Sequence, residues 1–185
     1  MYPDAVQHWL DQIVDPDAIA HRSSRLLAVD ISTQTLTLYL DSTAVVSYPV
    51  STSRYGVNCT QDSNGTPHGV HEIAEKIGAG EQSGEIFIGR IAQGRKFNDR
   101  DSGDSKDVIT SRIIWLRGLQ SGINSGVGCD SYDRYIYIHG TANEKKIGEA
   151  ASIGCVRMLN ADVIELFDRI EQGDRVVLFE SVASG

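Results

Sequence analysis

The chain has 185 residues, of which 41% are hydrophobic and 23% are charged, a composition typical of a single globular domain with a sizeable core. Its net charge of −8 argues against nucleic acid as a partner, because binding to phosphates needs a basic face. No run of residues reaches the length of a membrane span. The three cysteines, Cys59, Cys129 and Cys155, are an odd number without tight spacing, so neither a disulfide framework nor a zinc site is expected.

The N-terminal residues predict a helix and no leader. Residues 3–14 place Val6, Leu10, Ile13 and Val14 at helical spacing, which predicts an amphipathic helix in an extension covering residues 1–22. We expect it to pack on the domain rather than to form a lid or to contact a partner. The first ten residues lack a basic region, an apolar run and a cleavage site, so a secretory signal is not predicted. With a free thiol at Cys155, this favours a cytoplasmic location, or a periplasmic one if the native N-terminus was processed.

The next part of the chain predicts strands and one long loop. Residues 26–31, 35–40 and 45–50 read as a three-stranded meander, in which Leu36, Leu38 and Leu40 form a buried face. Residues 51–69 are polar and rich in turn residues, and an irregular stretch of this length in a compact domain is usually functional. His68 and His71 lie three residues apart, but no Cys/His cluster accompanies them, so a metal site is not expected.

Further strands are predicted at residues 70–75, 85–92 and 108–116. Residues 93–107 form a loop of mixed charge, which indicates a solvated surface, with a lid beside an active-site cleft as the alternative. Near the C-terminus, Asn160 is a plausible helix N-cap, and Val163, Leu166, Phe167 and Ile170 predict a core-facing helix that Gly173 ends. A last strand covers residues 175–179. The fold class is therefore mostly β, a β-rich α+β domain.

Residues 135–158 contain the chemistry. An alternating run from Tyr135 to Ile138 predicts a strand that ends at His139, and Cys155 follows sixteen positions later. An imidazole and a thiol are the two groups that a cysteine acyl-transfer enzyme needs, and a loop must fold back to bring them together. Gly154 would permit a tight turn, with the N–H groups of Gly154 and Cys155 directed at a developing oxyanion. Considered alone, His139 and Cys155 also fit ordinary core positions, because free cysteine is usually buried and inert.

Two motifs surround this loop: His139-Gly140-Thr141, and Ser152-Ile153-Gly154-Cys155-Val156-Arg157-Met158. Together they resemble the signature of the L,D-transpeptidase catalytic-domain (YkuD-like) family. The turn Thr66-Pro67-His68-Gly69 resembles the TPxG turn of that family, and residues 26–51 and 110–116 resemble its strands. The resemblance covers residues 25–180. One position differs, because the family's second histidine, just before the Gly-Cys pair, is Ile153 here.

The resemblance implies a fold and a reaction. The fold would be a YkuD-like β-sandwich of mixed sheets, with one helix packed after the nucleophile. The substrate would be the amide between the L-centre of a diamino acid and the terminal D-alanine of a peptidoglycan stem. Cys155 would form a thioester and His139 would act as the base, oriented by the Gly140 carbonyl or by Ser152, which could instead brace the nucleophile loop. Gly154, Arg157 and Thr141 would contact substrate, with Arg157 either holding a carboxylate or forming a salt bridge.

The resemblance implies no metal and no organic cofactor, peptidoglycan stem peptides or muropeptides as partners, and acylation of Cys155 by carbapenem-type β-lactams. It leaves the acyl acceptor and the oligomeric state open. We favour an L,D-carboxypeptidase in muropeptide recycling, which transfers the acyl group to water. The alternatives are an L,D-transpeptidase that forms cross-links or exchanges D-amino acids, and a non-catalytic muropeptide-binding domain.

Overall fold

The computed structural model describes residues 2–11, 24–98 and 108–181. Within these residues the chain forms two α-helices, α1 (Asp4–Leu10) and α2 (Asn160–Arg169), and a short 3-10 turn at Glu144–Lys146. The described strands are β1 (Arg25–Asp30), β2 (Thr35–Leu40), β3 (Thr43–Ser51), β4 (Gly69–Ile77), β5 (Glu85–Ile88), β6 (Ile91–Lys96), β7 (Ile109–Gly118), β8 (Tyr137–Thr141), β9 (Val156–Met158) and β10 (Arg175–Phe179).

The strands form one mixed sheet in the order β4-β10-β1-β2-β3-β9-β8-β7-β5-β6. Strand β4 also pairs with β7, so eight of the strands close into a ring and the β5–β6 hairpin extends from it. The β1–β10 and β8–β9 pairs are parallel and the others are antiparallel. The prediction of a mostly β, mixed-sheet fold is therefore confirmed.

The main core lies inside the closed sheet, beneath α2. Helix α2 buries Val163, Leu166 and Phe167 there, as the helical spacing predicted, whereas the helix ends at Arg169, before the predicted Gly173, and Ile170 is buried in the same cluster just after it. Every strand of the ring contributes at least one apolar side chain to the same cluster. Alternate residues of the strands therefore point outward, and the functional side chains described below lie on that outer face.

The predicted meander is correct, because β1, β2 and β3 pair consecutively and antiparallel. Its single buried face is wrong in detail. Leu36 and Leu38 are buried in the main core, but Leu40 is exposed and Tyr39 is buried on the opposite face. Tyr39 is covered because α1 lies against this outer face and buries Val6 there.

Helix α1 packs on the domain as expected, and its bounds are shorter than the predicted span of residues 3–14. It contacts β10 and β4, and the Trp9 ring lies 5.1 Å from the His68 ring. Ile13 and Val14 lie outside the described residues. The division into an extension at residues 1–22 and a domain at residues 25–180 stays a prediction.

The strand predicted at residues 85–92 is instead a hairpin. Gly89 and Arg90 both have positive φ, 54° and 69°, and they form the turn between β5 and β6. Part of the predicted loop at residues 93–107 therefore belongs to β6, and residues 99–107 lie outside the described part of the chain.

Candidate active site

The parallel pairing of β8 with β9 places the histidine and the cysteine on one face of the sheet. His139 pairs with Arg157 and Ile138 pairs with Val156, so Cys155, just before β9, lies opposite Tyr137. Side chains two residues apart on a strand share a face, which puts Tyr137, His139, Cys155 and Arg157 on the outer face. The expected end-of-strand position for His139 is wrong, because β8 begins at Tyr137 and continues to Thr141.

The Cys155 thiol is partly exposed and is held by backbone groups of the preceding segment. The Tyr137 N–H donates to Sγ at 3.4 Å, and the carbonyl oxygen of Tyr135 lies 3.4 Å from Sγ as an acceptor for the thiol proton. The carbonyl suits the protonated thiol and the N–H suits the thiolate. These two contacts therefore serve both protonation states of a nucleophile.

Tyr135 has an unusual backbone conformation. Its φ is 57°, in the left-handed region that a bulky residue rarely adopts. The Tyr135 N–H donates to the Tyr132 carbonyl at 3.0 Å, which completes a tight turn before β8. This turn directs the Tyr135 carbonyl at the thiol, and a local strain of order 1 kcal/mol is typical of such positions.

His139 is only 1% exposed and is oriented by the next residue. Its Nδ1 lies 2.8 Å from the Gly140 carbonyl oxygen. A carbonyl can only accept, so Nδ1 carries the proton and Nε2 of the neutral ring has the lone pair that a base needs. The Gly140 carbonyl, one of the two orienting groups that the family resemblance implied, therefore lies at hydrogen-bond distance from the ring.

Gly140 has no room for a side chain. A Cβ at this position would lie 2.5 Å from the Thr110 carbonyl oxygen and 2.8 Å from Asn160 Oδ1. Asn160 accepts the Thr110 hydroxyl at 2.6 Å and donates to the Thr141 carbonyl at 3.1 Å, so it joins β7 to β8. The predicted N-cap role of Asn160 is wrong. Asn160 is the first residue of α2, and its N–H donates to Glu144 Oε1 at 2.7 Å.

Ser152 braces the loop that carries the cysteine. Its hydroxyl donates to the Cys155 carbonyl at 2.6 Å and accepts the Gly154 N–H at 3.2 Å. The expectation that the Gly154 N–H points at an oxyanion is therefore wrong, because that N–H is directed at Ser152. Glycine is needed at position 154 for a different reason, namely its φ of 132°.

The TPxG turn contacts the same loop. Thr66 Oγ1 donates to the Gly154 carbonyl at 2.9 Å and accepts the Ser53 N–H at 2.9 Å. Ser53 and Ser152 form a parallel bridge beside it. The long polar loop predicted to be functional therefore contacts the loop that carries Cys155.

Arg134 holds this polar loop in place, and no motif in the sequence pointed to that residue. Its guanidinium donates to the carbonyls of Cys59 and Gly65, both at 2.8 Å, and to the carbonyl of Asn58 at 3.2 Å. Burial lowers the pKa of the Arg134 guanidinium, and the nearby thiols, Cys155 among them, act in the opposite direction. A half-buried positive charge thus lies close to the candidate nucleophile.

The chain matches the model of a known protein family. The family model for the L,D-transpeptidase catalytic domain (YkuD) matches residues 24–178. The chain belongs to this family. The YkuD protein of Bacillus subtilis (strain 168) is 54% identical over 41 residues, which are 22% of this chain and 25% of that protein.

Solved L,D-transpeptidases share the fold. An L,D-transpeptidase from Mycobacterium smegmatis aligns with a TM-score of 0.52 at 15% identity, covering 84% of this chain and 58% of that one. The structure of LdtMt1 in complex with imipenem aligns with a TM-score of 0.51 at 16% identity, covering 84% and 59%. The chain therefore spans less than two thirds of the length of these relatives.

Two residues that the family resemblance assigned to substrate are buried. Thr141 is fully buried, and its hydroxyl accepts the Asn143 N–H at 3.0 Å. Arg157 is 6% exposed and lies next to His139 in the sheet. Burial argues against direct substrate contact for both. Ile153, which replaces the family's second histidine, is 53% exposed beside the nucleophile.

The histidine pair in the TPxG region has structural contacts. His71 is fully buried, with Nδ1 3.0 Å from the Gly69 carbonyl oxygen and Nε2 2.9 Å from Ser131 Oγ. The described residues contain no group of three His, Cys, Asp or Glu side chains arranged to hold a metal. The helices in those same ranges are too short to span a bilayer.

Proposed function

We propose that this chain is an L,D-carboxypeptidase that removes the terminal D-alanine from tetrapeptide stems of free muropeptides. The observation that carries the proposal is the arrangement around Cys155. Its partly exposed thiol accepts the Tyr137 N–H at 3.4 Å, on the face that also holds His139, whose ring is oriented by the Gly140 carbonyl at 2.8 Å. A thiol that can be held as a thiolate and an oriented imidazole on the same face support a mechanism with a cysteine nucleophile and a histidine base.

The first half-reaction would form a thioester. His139 Nε2 takes the thiol proton, and Sγ attacks the carbonyl carbon of the amide between the L-centre of the diamino acid and D-alanine. The tetrahedral intermediate then collapses, the C–N bond breaks, and the imidazolium returns the proton to the leaving amine. Tyr137 N–H stabilises the negative sulfur before the attack.

The second half-reaction would transfer the acyl group to water. His139 takes a proton from the water, the hydroxide oxygen attacks the thioester carbonyl, and Cys155 leaves as a thiolate. Water at about 55 M outcompetes dilute amines unless the site excludes it. The proposal therefore includes a cytoplasmic location, where recycled muropeptides are dilute and assembled wall is not met. Fractionation of cells that express a tagged chain tests that location.

Product analysis is the direct test. The purified chain is incubated with a disaccharide tetrapeptide and the products are followed by mass spectrometry. We expect a disaccharide tripeptide and free D-alanine, with loss of both products in Cys155→Ala and retention in the matched control Cys129→Ala. Dimers or D-amino-acid exchange without tripeptide would instead identify an L,D-transpeptidase.

A non-catalytic muropeptide binder is distinguished by thiol reactivity. Burial raises the pKa of the Cys59 thiol, so Cys59 is an internal reference for an unreactive cysteine. If the chain is an enzyme, iodoacetamide should alkylate Cys155 faster than Cys59 at neutral pH. Equal rates, together with binding of the tetrapeptide and no turnover, would favour the binder.

Carbapenems supply an independent test of the nucleophile. LdtMt1 was solved with imipenem, and by analogy we propose that imipenem acylates Cys155 in this chain. The intact mass should increase by one imipenem, and peptide mapping should place the adduct on Cys155. An adduct on Cys59 or Cys129 alone would contradict the assignment.

A further inference from the structure

The turn of the β5–β6 hairpin places one arginine over a group of aromatic rings. The ring of Trp115 contacts those of Tyr132, Tyr135 and Tyr137, with centroids 4.0, 5.7 and 5.4 Å away, and we call these four residues the aromatic cluster. The Arg90 guanidinium carbon lies 4.8 Å from the Trp115 ring and 5.2 Å from the Tyr135 ring. Arg90 Nη1 donates to the Tyr137 hydroxyl at 3.2 Å.

The aromatic cluster adjoins the nucleophile. Cys155 packs against the apolar group that contains Trp115 and Tyr137. Tyr135 and Tyr137, which contact Arg90 through their rings and hydroxyl, are also the residues whose backbone groups contact Cys155 Sγ. Arg90 and the Cys155 thiol therefore contact the same two tyrosines, Arg90 through their side chains and the thiol through their backbone groups.

Arg90 has a guanidinium with spare donors. Within the described ranges, its interactions are the bond to Tyr137 and the two ring contacts, and none of these involves a carboxylate. Glu75 attracts Arg90 at longer range, and the Glu75 carboxylate accepts the Tyr132 hydroxyl. Four other arginines do form ion pairs: Arg25, Arg117, Arg169 and Arg175.

A partly exposed guanidinium that is stacked on aromatic faces keeps a fixed orientation and still has N–H groups for a planar anion. Carboxylates are the anions that arginine binds with two parallel hydrogen bonds. In a chain with a net charge of −8, an arginine beside Tyr135 and Tyr137 that forms no ion pair among the described residues also offers a local attraction for an anionic substrate.

We propose that Arg90 binds a substrate carboxylate next to the scissile amide and so selects stem peptides that carry one. This inference rests on the proposed function. Two sources offer the same chemistry, namely the C-terminal carboxylate of D-alanine and the side-chain carboxylate of a diamino acid such as diaminopimelate. Arg90 would be a specificity-determining residue on the hairpin, and the aromatic cluster would orient it.

The test uses four synthetic tetrapeptides that combine diaminopimelate or lysine with a free or an amidated D-alanine carboxyl. They are assayed with the wild type, Arg90→Gln and Arg90→Lys. The matched control is Arg117→Gln, because Arg117 also lies over a tyrosine, 4.9 Å from the Tyr132 ring, but pairs with Glu72. Loss of a charge-assisted pair predicts that Arg90→Gln raises KM by about 10- to 100-fold, with Arg90→Lys intermediate.

The substrate series identifies the carboxylate. Removing the bound carboxylate from the peptide should raise the KM of the wild type by the same factor. It should not raise the KM of Arg90→Gln any further. If amidation of D-alanine raises the wild-type KM, Arg90 binds the D-alanine carboxylate. If replacement of diaminopimelate by lysine raises it, Arg90 binds the diaminopimelate carboxylate. The proposal would be overturned if Arg90→Gln raised KM by the same factor for all four peptides, or if Arg117→Gln had the same effect as Arg90→Gln.

Two controls separate this proposal from the proposed function. Dissociation constants of the four peptides for Cys155→Ala, with and without Arg90→Gln, are measured by calorimetry and need no turnover. Discrimination in binding without D-alanine release would retain Arg90 and reject the hydrolase. D-alanine release without discrimination among the four peptides would reject the role of Arg90 and retain the hydrolase. Unchanged thermal unfolding, and alkylation of Cys155 by neutral iodoacetamide, show that Arg90→Gln keeps the fold.

Discussion

Thr66 Oγ1 donates a hydrogen bond of 2.9 Å to the carbonyl oxygen of Gly154, a residue 88 positions later in the chain. The same hydroxyl accepts the Ser53 N–H at 2.9 Å and is fully buried. The threonine of the TPxG turn is therefore part of the support of the nucleophile loop, because Gly154 directly precedes Cys155. The TPxG turn and the Gly-Cys pair are thus in direct contact within the candidate site.

Replacement of Thr66 by valine removes this hydroxyl at nearly constant volume. Two buried partners, the Gly154 carbonyl and the Ser53 N–H, lose a hydrogen bond, so we expect the free energy of unfolding to fall by about 1–3 kcal/mol. Alkylation of Cys155 should also slow, because its loop is less well fixed. Urea denaturation and iodoacetamide kinetics measure both effects. In the control Thr37→Val, whose hydroxyl lies 2.8 Å from Ser47 Oγ at an exposed position, both quantities should change little. Equal effects in the two variants would contradict the assignment.

Replacement of Arg134 by glutamine tests its charge and its bonds to the loop together. The guanidinium donates to the Cys59 and Gly65 carbonyls and lies close enough to Cys155 to interact with the thiolate. We expect the alkylation rate of Cys155 at pH 7 to fall several-fold and its pH profile to move toward higher pH, because a positive charge that favours the thiolate is lost.

Arg134→Lys separates the two contributions. Lysine keeps the charge but cannot reproduce the planar set of bonds to three carbonyls. The lysine variant should therefore retain most of the pH profile while losing stability toward urea. A glutamine variant with the pH profile of the wild type would show that Arg134 has only a structural role.

Particular residues show how far the sequence predicted the structure. Alternation predicted the β1–β3 meander, and the spacing of Val163, Leu166, Phe167 and Ile170 predicted α2, because both signals are local. The pairing of β4 with β7, which closes the sheet, depends on contacts between distant segments and has no local signal.

The motifs pointed to the residues of the site but could not predict its backbone contacts. The contact between the Tyr137 N–H and Sγ follows from the parallel register of β8 and β9, and the sequence does not specify that register. The prediction of an N-cap at Asn160 was wrong for a related reason. Asn160 has the right residue type for an N-cap, but Glu144 accepts its N–H from a turn sixteen residues earlier, and its side chain is used between β7 and β8.

His71 makes stability depend on pH. Burial lowers the pKa of His71 to about 4, so the folded state keeps the ring neutral. The unfolded chain takes up a proton near pH 6.5 and the folded state does not. Stability is therefore fully present above pH 6.5 and is lost as the pH falls toward 4, by about 3 kcal/mol for a shift of this size. Urea denaturation at pH 7 and at pH 4.5 measures the loss.

His71→Asn isolates this contribution from that of the carboxylates. The variant should be less stable at pH 7, because the contacts to Gly69 and Ser131 are weakened. Its further loss between pH 7 and pH 4.5 should nevertheless be smaller than that of the wild type. His8→Gln, at an exposed position, should keep the wild-type difference. An unchanged difference in His71→Asn would show that His71 is not the titrating group.

Ile153→His restores the family's second imidazole beside the nucleophile. Ile153 is 53% exposed, so the substitution should change the free energy of unfolding by less than about 0.5 kcal/mol. Below about pH 6.5 the new imidazolium would favour the Cys155 thiolate, so the ratio of variant to wild-type alkylation rates should rise as the pH falls. Ile153→Gln adds a polar side chain that does not titrate, and its ratio should stay constant with pH. Parallel ratios for the two variants would exclude an electrostatic effect of this histidine, whereas a pH-dependent ratio for histidine alone would show that its charge acts on the thiolate.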